Sequence, residues 1–528
     1  MTRREFLLAS AAVALAPRSS LAATARIEIL PDEPIGTISP AIYGHFTEHL
    51  GGCIYDGIWV GEGSKIPNVA GIRKAVVDSL KRINAPVIRW PGGCFADSYN
   101  WRDGVGPRRD RPTRVNFWAE TDILKRATGG PQKYEPNEFG TNEFARFCKL
   151  SGAEPYFAGN LRSLTSHDFY EWIDYCNAPR GTTSMANLRA QGGDAEPFNV
   201  KYWGVGNESW GCGGNFTGDE YAVEFRRFTA WVPTFALDLK FIASGPNAGD
   251  YAWTRSFFQA MSEHGRGGLN NIFGTALHYY CGTTGNGVAN EFDSAQWYEL
   301  LKKANRMEEL VTRHWAIMSG YDPDHKVKLV VDEWGAWHHT DPSVAPNYLW
   351  AYYPTLRDAL VSSITLDTFN RHSDKVLMAN AAQLINNIHT SMLAAEDKFT
   401  VTPVYHVFAM YAAHQGNTSV RTVFSAPEGS NGLFGLAGSG SIRDKHVVLT
   451  VTNPDLHDAR DTEIAIAGGA RITNASAVVL SANDPHARNT FAQPDAVKPT
   501  QPETVVVRMP FTYTFAPASV TRLELDLA

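Results

Sequence analysis

Short apolar runs alternate with longer segments of helical periodicity between about residues 40 and 395. A run of four to eight apolar residues between turn residues is typical of a buried strand. Apolar residues spaced three and four apart are typical of an amphipathic helix, and TLRDALVSSITLDTFNRH is the clearest example. The strands that this pattern predicts are 41–46, 85–90, 154–159, 201–206, 240–245, 274–280, 328–333 and 376–381.

Eight strands in alternation with helices predict a closed (β/α)8 barrel, since roughly 250 residues or more is the usual size of that fold. A doubly wound parallel sheet is the alternative. No glycine-rich fingerprint follows the first strand, which favours the barrel.

After about residue 400 the pattern changes to short alternating strands separated by turn residues, as in KHVVLTVTNP and SVTRLELDLA. The chain is therefore predicted to be α/β. A (β/α)8 TIM barrel occupies 40–398, and a C-terminal antiparallel, jelly-roll-like β-sandwich occupies 399–528. The strand-like segment 26–39 is expected to join the sandwich.

The N-terminal segment 1–25 has the order of an export signal: the pair Arg3 and Arg4, an apolar run over 6–16, and small residues before Ala22 or Ala25. A disordered tail is the alternative. We expect a twin-arginine signal peptide and a periplasmic or secreted protein. No later segment is apolar enough to span a membrane, so no membrane association is expected after signal removal.

Composition narrows the class of partner. Of 528 residues, 44% are hydrophobic and 20% are charged, and the net charge of −7 with no basic run argues against nucleic acid. The six cysteines lack C-x-x-C spacing, so a zinc ribbon is not indicated. Because twin-arginine signals carry folded proteins, mostly reduced thiols are expected.

Two glutamates lie where a barrel places its chemistry, at the C-terminal ends of strands. Asn207 and Glu208 end the fourth strand in KYWGVGNESWGCGG, and Glu333 ends the seventh in KLVVDEWGAWHH. Each could cap a strand or pair with an arginine. Together, however, two carboxylates facing one barrel mouth are the apparatus of glycoside hydrolysis, in which one protonates the leaving oxygen and the other attacks the sugar or activates water.

Longer motifs accompany these glutamates: GHFTEHLG, IRWPGGCFADSYNW, WGVGNESWGCGG, HYY, VDEWGAWH, NRHSDKVLMANAAQLIN and TPVYHVF. Together they resemble glycoside hydrolase family 51, the α-L-arabinofuranosidases. The resemblance extends from about residue 26 to the C-terminal FAPASVTRLELDLA.

The resemblance implies a retaining mechanism, with Glu208 as acid/base and Glu333 as nucleophile. It further implies substrate-binding roles, distributed as follows. Glu48 accepts hydrogen bonds from sugar hydroxyls, Asn207 bonds the 2-hydroxyl, Tyr280 donates to the nucleophile, Gln383 contacts the sugar, and Trp337 is an aromatic wall with a core tryptophan as its alternative. His278, two residues before Tyr280 on the same strand, is expected to support the pocket.

Cys94 is a departure from part of the family, because some relatives place a sugar-binding asparagine after PGG. A thiol is a weak hydrogen-bond donor. If Cys94 lines the pocket as a thiol, it loosens this contact or marks a different substrate preference.

The stretch HFTEH, with His45, Glu48 and His49, has the H-x-x-E-H spacing of a class of zinc peptidase. A zinc site of that class needs both histidines on one face of a helix, whereas these two span the end of a strand and precede two glycines. The resemblance makes Glu48 a sugar ligand and the histidines supporting residues, so no metal is expected.

The sequence thus predicts an exo-acting, retaining α-L-arabinofuranosidase that releases terminal arabinose from arabinoxylan, arabinan or their oligosaccharides without a cofactor. A β-xylosidase or endo-β-glucanase of the same fold is one alternative, and a non-catalytic sugar-binding protein is another. The family resemblance also implies a homo-oligomer, with a hexamer as one form.

Overall fold

The computed structural model describes residues 25–119, 133–265, 268–285, 287–344, 348–429 and 432–528. The predicted signal peptide, apart from its last residue, lies outside the described residues. Within the described part, no helix combines the length and the apolar character needed to cross a bilayer.

The β-strands of the described residues follow in chain order. They are β1 (Ala25–Thr37), β2 (Gly44–Phe46), β3 (Asn68–Val69), β4 (Ile72–Arg73), β5 (Val87–Trp90), β6 (Arg114–Val115), β7 (Tyr134–Glu135), β8 (Glu154–Gly159), β9 (Tyr202–Val205), β10 (Lys240–Ala243), β11 (Gly274–Gly282), β12 (Lys328–Trp337), β13 (Val376–Ala382), β14 (Met392–Ala395), β15 (Lys398–Val401), β16 (Thr418–Ser425), β17 (Ala437–Arg443), β18 (His446–Asn453), β19 (Arg460–Ile466), β20 (Ile472–Leu480), β21 (Glu503–Thr504), β22 (Thr512–Phe515) and β23 (Ser519–Leu527).

The α-helices are interspersed mainly among the barrel strands. They are α1 (Lys74–Arg82), α2 (Thr141–Ser151), α3 (Ser166–Asn177), α4 (Ser184–Gln191), α5 (Gly218–Thr229), α6 (Tyr251–Ser262), α7 (Ser294–Asn305), α8 (Met307–Ser319), α9 (Leu356–Arg371) and α10 (Pro403–Tyr411). Short 3₁₀ helices occupy Pro40–Tyr43, Ala96–Ser98, Trp101–Gly104, Arg108–Asp110, Phe117–Ala119, Leu269–Asn271, Ala412–His414 and Ala467–Gly469.

Eight parallel strands close into a barrel in the order β2, β5, β8, β9, β10, β11, β12, β13. Each overlaps one of the eight predicted segments, so the predicted barrel is confirmed. Because all eight strands run in the same direction, their C-terminal ends open onto a single mouth. The residues that end β9 and β12 therefore share that mouth although their strands are distant in sequence.

Apolar side chains fill the interior of the barrel below the mouth. Val87, Tyr156, Ile242, Val330 and Met378, from five different strands, are buried in one cluster. Such a layer is a packed core and not a pore. Side chains along a strand alternate between two faces. A residue two positions beyond a member of this layer therefore also points inward, one layer nearer the mouth.

The large C-terminal sheet has the strand order β21, β20, β23, β18, β17, β16, β1, β19, β22. Its neighbours run antiparallel except β1 and β19, which run parallel. Ile27, Val447, Ile464 and Leu523, from both ends of this order, pack in one apolar cluster, so the two halves of the sheet face each other. This confirms the predicted antiparallel C-terminal unit. The boundary between 398 and 399 stays a prediction.

The strand predicted within ETVVVRMP is shorter than expected: Glu503–Thr504 pairs with β20, and one further backbone hydrogen bond runs from Val505 N–H to Ala475 O (2.8 Å). Val506 and Met509 are 70% and 69% exposed. With no layer to cover these side chains, the alternating pattern alone does not hold the segment in the sheet.

Helix α9 joins the two units, and every residue from Leu356 to Asn370 is buried. It packs against α7, α10 and β17. Asp367 on this helix accepts hydrogen bonds from Ser439 Oγ (2.7 Å), Thr450 Oγ1 (2.6 Å) and Tyr411 OH (2.8 Å). Burial raises the pKa of Asp367 to about 6, against the opposing effect of these donors.

Candidate active site

Glu333 lies on β12 near the barrel mouth and is buried, with 5% of its surface exposed. Its Oε1 accepts a hydrogen bond from Arg89 Nη1 (2.8 Å), and its Oε2 accepts one from Tyr280 OH (2.9 Å). Burial alone would raise the pKa of Glu333. The charges of His278 and Arg89 and the two hydrogen bonds together outweigh burial and hold that pKa below its ordinary value. Glu333 is therefore an ionised carboxylate.

Arg89 organises the floor of the mouth. Besides Glu333, its guanidinium donates from Nη2 to Asn207 Oδ1 (2.6 Å) and places Nε 3.7 Å from Asp332 Oδ2. Asp332 also accepts from Tyr156 OH (2.7 Å). The sequence reasoning missed Arg89. The available signal was a charge inside the apolar strand APVIRW, since a buried charge requires partners.

Glu208 follows β9 with a backbone φ of +40°, a strained conformation for a residue with a side chain. Its Oε1 lies 3.0 Å from His278 Nδ1, and the same nitrogen lies 3.6 Å from Glu333 Oε2. The nearest oxygens of the two glutamates and this nitrogen all lie within 4.8 Å of one another. The barrel thus brings together two carboxylates from distant strands.

His278 is buried between the two carboxylates. Burial alone would lower the pKa of its imidazole, but the charges of Glu333 and Glu208 and the hydrogen bond with Glu208 outweigh burial and raise it. The raised pKa favours the protonated imidazole, and a protonated His278 stabilises the negative charge on Glu333.

Gly93 lies between Glu333 and Glu48, and Glu48 is 3% exposed. Its Oε1 accepts hydrogen bonds from the backbone N–H groups of Gly93 and Phe95, both at 3.1 Å, and its Oε2 accepts one from Gln383 Nε2 (3.0 Å). Burial, assisted by the charge of Glu333, raises the pKa of Glu48 to about 8, against the effect of the backbone donors. Two of the predicted sugar ligands, Glu48 and Gln383, are therefore in direct contact.

Asn207 is 1% exposed and is fixed from two directions. Its side-chain oxygen accepts from Arg89, and its backbone N–H donates to Asp97 Oδ2 (2.9 Å). Asp97 also accepts from Leu161 N (2.7 Å), so it ties together three of the loops that follow barrel strands. Asp97 was not among the predicted site residues, because no local pattern marks an acid that binds only backbone groups.

Aromatic rings form one side of the mouth. Trp337 contacts Tyr280 edge-on, with ring centroids 4.9 Å apart, and contacts Trp350 in the same manner at 4.8 Å. Trp337 is partly exposed, unlike Trp350. The structure therefore places Trp337 beside the tyrosine that bonds Glu333.

Cys94 is not the thiol that the sequence reasoning expected. It forms a disulfide bond with Cys212, 118 residues further along the chain. The expectation of mostly reduced cysteines is correct for Cys53, Cys148, Cys176 and Cys281, but it is wrong for the pair at the site. The cause of the error is that fold topology, invisible in the spacing of the cysteines, brings the loops after β5 and β9 together.

The two histidines of HFTEH point to different surroundings. His45 packs against the Phe408 ring at 4.7 Å between centroids, and burial lowers its pKa to about 3. His49 places Nδ1 2.7 Å from Glu135 Oε2 and accepts a hydrogen bond from Trp90 Nε1 at 3.0 Å. Neither histidine lies in a metal-capable group of described residues.

Glu208, His278 and Glu333 do form a group with the donor atoms of a metal site. However, both oxygens of Glu333 already accept hydrogen bonds, and the guanidinium of Arg89 lies 2.8 Å from one of them. A cation bound there would face the charge of Arg89 directly. The arrangement is better suited to proton transfer and nucleophilic attack than to metal binding.

A (β/α)8 barrel with two close carboxylates at its mouth, one ionised and one beside a histidine, defines a glycoside hydrolase. Residues 79–285 match the family described as the α-L-arabinofuranosidase 1 domain, and residues 332–519 match the α-L-arabinofuranosidase C-terminal domain.

Relatives of known identity match over nearly the whole chain. An intracellular exo-α-L-arabinofuranosidase from Bacteroides ovatus is 35% identical over 99% of this chain and all of its own. The crystal structure of the GH51 arabinofuranosidase from Xanthomonas axonopodis pv. citri superimposes with a TM-score of 0.86 at 37% identity, covering 95% of this chain and all of that one. The α-L-arabinofuranosidase from Thermotoga maritima, solved as an arabinose complex, gives 0.81 at 32% identity, with the same coverage. The chain belongs to glycoside hydrolase family 51 and is an enzyme of the α-L-arabinofuranosidase type.

The predicted export is wrong on this comparison. The Bacteroides ovatus relative, which aligns with 99% of the chain, is named an intracellular enzyme. The twin-arginine signal and the periplasmic or secreted location are therefore not supported. A basic pair before a short apolar run is a brief pattern, and that brevity explains why it misled.

Proposed function

We propose that the protein is a retaining, exo-acting α-L-arabinofuranosidase in which Glu333 is the nucleophile and Glu208 is the acid/base. The observation that carries the proposal is the proximity of these carboxylates, whose nearest oxygens lie within 4.8 Å. Retaining enzymes hold the two carboxyl groups roughly 5–5.5 Å apart, whereas inverting enzymes need roughly 6.5–9.5 Å to admit a water molecule between them and the sugar.

In the first step, the ionised Glu333 attacks the anomeric carbon while Glu208 donates its proton to the leaving oxygen. The lowered pKa of Glu333 supports this role, because a nucleophile must be deprotonated. The product is a covalent arabinosyl-enzyme. Esterification removes the negative charge from Glu333, and Glu208, which has given its proton to the leaving oxygen, is left as a carboxylate that can act as a base.

In the second step, Glu208 accepts a proton from water, and the water attacks the anomeric carbon to release arabinose. His278 contacts Glu208 at 3.0 Å and can stabilise its carboxylate form between the two steps. General acid–base catalysis of this kind contributes roughly 10²–10⁴-fold to the rate.

The bound furanose would contact groups that the structure already holds in place. The side-chain oxygen of Asn207 is taken by Arg89, so the sugar 2-hydroxyl would accept from its NH2 group, which also lies 3.9 Å from Cys212 Sγ. Glu48 and Gln383 bind hydroxyls on the opposite side, and Tyr280 supports the nucleophile. Trp337 forms a wall on the leaving-group side.

Exposure along the site supports exo action. Glu48 and Glu333 are 3% and 5% exposed as whole residues, whereas the side chain of Glu208 is 19% exposed, against 7% for the side chain of Glu333. The acid/base therefore lies toward solvent and the sugar ligands lie at the bottom, so a terminal arabinofuranosyl residue enters first and the polymer stays outside. Arabinoxylan, arabinan and their oligosaccharides present such termini.

The test is nitrophenol release from p-nitrophenyl α-L-arabinofuranoside by the parent enzyme, Glu333→Ala and Glu208→Ala. We expect Glu333→Ala to lose at least about 10³-fold in kcat. Azide should partly restore Glu208→Ala, because it replaces water and needs no base, and the product should be the arabinosyl azide of retained configuration. Glu263→Ala, an exposed site at the end of α6, should match the parent.

Two results would contradict the proposal. Turnover of the arabinofuranoside with inversion at the anomeric carbon would exclude a covalent intermediate. Preference for the β-D-xylopyranoside or β-D-glucopyranoside would keep the two glutamates but reject arabinose as the sugar.

A further inference from the structure

The disulfide between Cys94 and Cys212 lies against the proposed acid/base. Cys94 Sγ is 3.8 Å and Cys212 Sγ is 3.7 Å from Glu208 Oε2. The other oxygen of that carboxyl group, Oε1, faces His278 Nδ1 at 3.0 Å. The carboxyl group is therefore held between an imidazole on one side and a pair of bonded sulfurs on the other.

The sulfurs of a disulfide carry no hydrogen and cannot donate a hydrogen bond. Among the described residues, the two sulfurs are the polar contacts found for Oε2. Two thiols in the same place would each be able to donate to Oε2 and would stabilise the carboxylate form of Glu208. The oxidised pair instead leaves Oε2 to carry the proton for the leaving group.

The disulfide also restrains the loop that carries Glu208. This loop contains Gly206 and Gly214 with φ of +80° and +133°, and Glu208 itself has a positive φ. Strained residues keep such conformations only when their surroundings fix them. Cys212, four residues after Glu208, is bonded to Cys94 in the loop that follows β5, and so ties the loop after β9 to the loop after β5 across strand β8.

We propose that the Cys94–Cys212 disulfide is a positioning element of the acid/base, which holds the Glu208 carboxyl group against His278 and keeps its Oε2 free of donors. The proposal rests on the proposed role of Glu208. It assigns Cys94 a function different from that of a sugar-binding side chain, because its sulfur acts on the acid/base through a covalent bond to Cys212.

Reduction provides the chemical control. A dithiol such as dithiothreitol transfers two electrons and two protons, so the S–S bond breaks, each cysteine gains one hydrogen, and the dithiol closes into its own cyclic disulfide. Oxidised glutathione reverses the change. Neither step alters the sequence, so the same protein can be measured in both states.

The experiment compares kcat/KM for two arabinofuranosides, one with a dinitrophenyl leaving group, which departs without protonation, and one with a sugar leaving group, which requires it. The proteins are the parent, the reduced parent and Cys94→Ala/Cys212→Ala. Cys148→Ala, which removes a buried free thiol of α2, is the matched control. Circular dichroism and thermal unfolding establish that each protein is folded.

If the disulfide positions the acid, the dinitrophenyl-to-sugar ratio of kcat/KM rises at least about tenfold in the double variant and in the reduced parent. The ratio returns on reoxidation, and the alkaline limb of the pH profile for the sugar substrate moves to lower pH on reduction. If both substrates lose activity equally, or neither does, the disulfide is only a crosslink and the proposal is overturned. If the double variant does not fold, the ratio of kcat/KM measured for the reduced parent is sufficient to test the proposal.

Glu208→Ala, measured beside these proteins, separates this proposal from the proposed function. If Glu208→Ala shows a large leaving-group dependence and the reduced parent shows none, the proposed role of the disulfide is rejected and Glu208 remains the proposed acid. Absence of that dependence in Glu208→Ala rejects Glu208 as the acid, and the disulfide proposal falls with it.

Discussion

At the scale of the residue, a few neighbouring groups lower the pKa of Glu333, the proposed nucleophile. Three groups oppose the burial of Glu333: Arg89, Tyr280 and His278. His278 acts by its charge, Arg89 acts by its charge and by a hydrogen bond, and Tyr280 acts through one neutral donor at 2.9 Å. A substitution at Tyr280 therefore isolates the contribution of one hydrogen bond.

We expect Tyr280→Phe to raise the pKa of Glu333, because it removes a donor to the charged form only. The acidic limb of the kcat/KM profile should move to higher pH, and the maximal kcat/KM should fall about tenfold, as expected for loss of a hydrogen bond to an ion. The measurement is the pH dependence of arabinofuranoside hydrolysis. Tyr279→Phe is the control, since the Tyr279 hydroxyl donates to the Lys303 carbonyl on helix α7 (2.8 Å). An unchanged acidic limb in Tyr280→Phe would show that the other two groups suffice.

Glu48 has the opposite electrostatic balance, since burial raises its pKa from 4.5 to about 8. A carboxyl whose pKa is raised by folding stabilises the protein below the unfolded value and loses that contribution as pH rises through the folded value. Between pH 4.5 and about 8, the parent should therefore lose stability as pH increases. Glu48→Gln lacks this ionisation.

We accordingly expect the thermal midpoints of the parent and of Glu48→Gln to converge at acidic pH and to diverge toward pH 8, with the variant relatively more stable at the alkaline end. Thermal unfolding from pH 4 to pH 9 measures this. Glu154→Gln, on an exposed side chain, serves as control. Parallel curves for the parent and Glu48→Gln would mean that folding leaves the pKa of Glu48 unchanged.

At the scale of elements, helix α9 is the part on which the contact between barrel and sheet depends. The carboxylate of Asp367 receives three hydroxyl donors, two of them from strands β17 and β18 of the large sheet. A buried donor that loses its acceptor costs about 1–3 kcal/mol.

Asp367→Ala should lower the free energy of unfolding by about 3 kcal/mol, because three buried hydroxyls lose their acceptor together. Asp367→Asn, which keeps one oxygen, should lose less. Urea unfolding followed by circular dichroism gives the comparison, with Asp324→Ala in an exposed turn as control. If Asp367→Ala unfolds at the urea concentration of the control, the hydroxyls find other partners and the network does not stabilise the interface.

The strands of the barrel could be predicted because each is a short apolar run buried on both faces, as in VIRW of β5. Helix α9 was predicted for a different reason, by apolar residues that recur three and four positions apart. The sequence predicted that β1 joins the C-terminal sheet, but it did not identify β16 and β19 as its partners or the register of pairing. Strand partners are determined by contacts between residues distant in sequence. Strand β21 is an example of the opposite error. Its sequence has the alternating pattern of a longer strand, but no other part of the fold covers Val506 or Met509.

At the scale of the molecule, the sequence located the two carboxylates because a barrel gathers the ends of its strands. It did not locate Arg89, Asp97 or Cys212, which act through contacts across the mouth. Arg89 binds groups from β9 and β12, Asp97 binds backbone groups, and Cys212 bonds a cysteine 118 residues away. Such residues carry no local signal, because their partners exist only once the barrel has closed.

Strand β1 has a consequence for the order in which the chain is made. It lies between β16 and β19 in the finished sheet, yet β16 begins only at Thr418. At a synthesis rate of roughly 5–20 residues per second, β1 leaves the ribosome roughly 20–80 s before its neighbours exist. During that interval Ile27 and Ile29, which are fully buried in the folded enzyme, have no sheet to cover them. Until β16 has been synthesised, β1 therefore presents uncovered apolar side chains of the kind that nascent-chain chaperones bind.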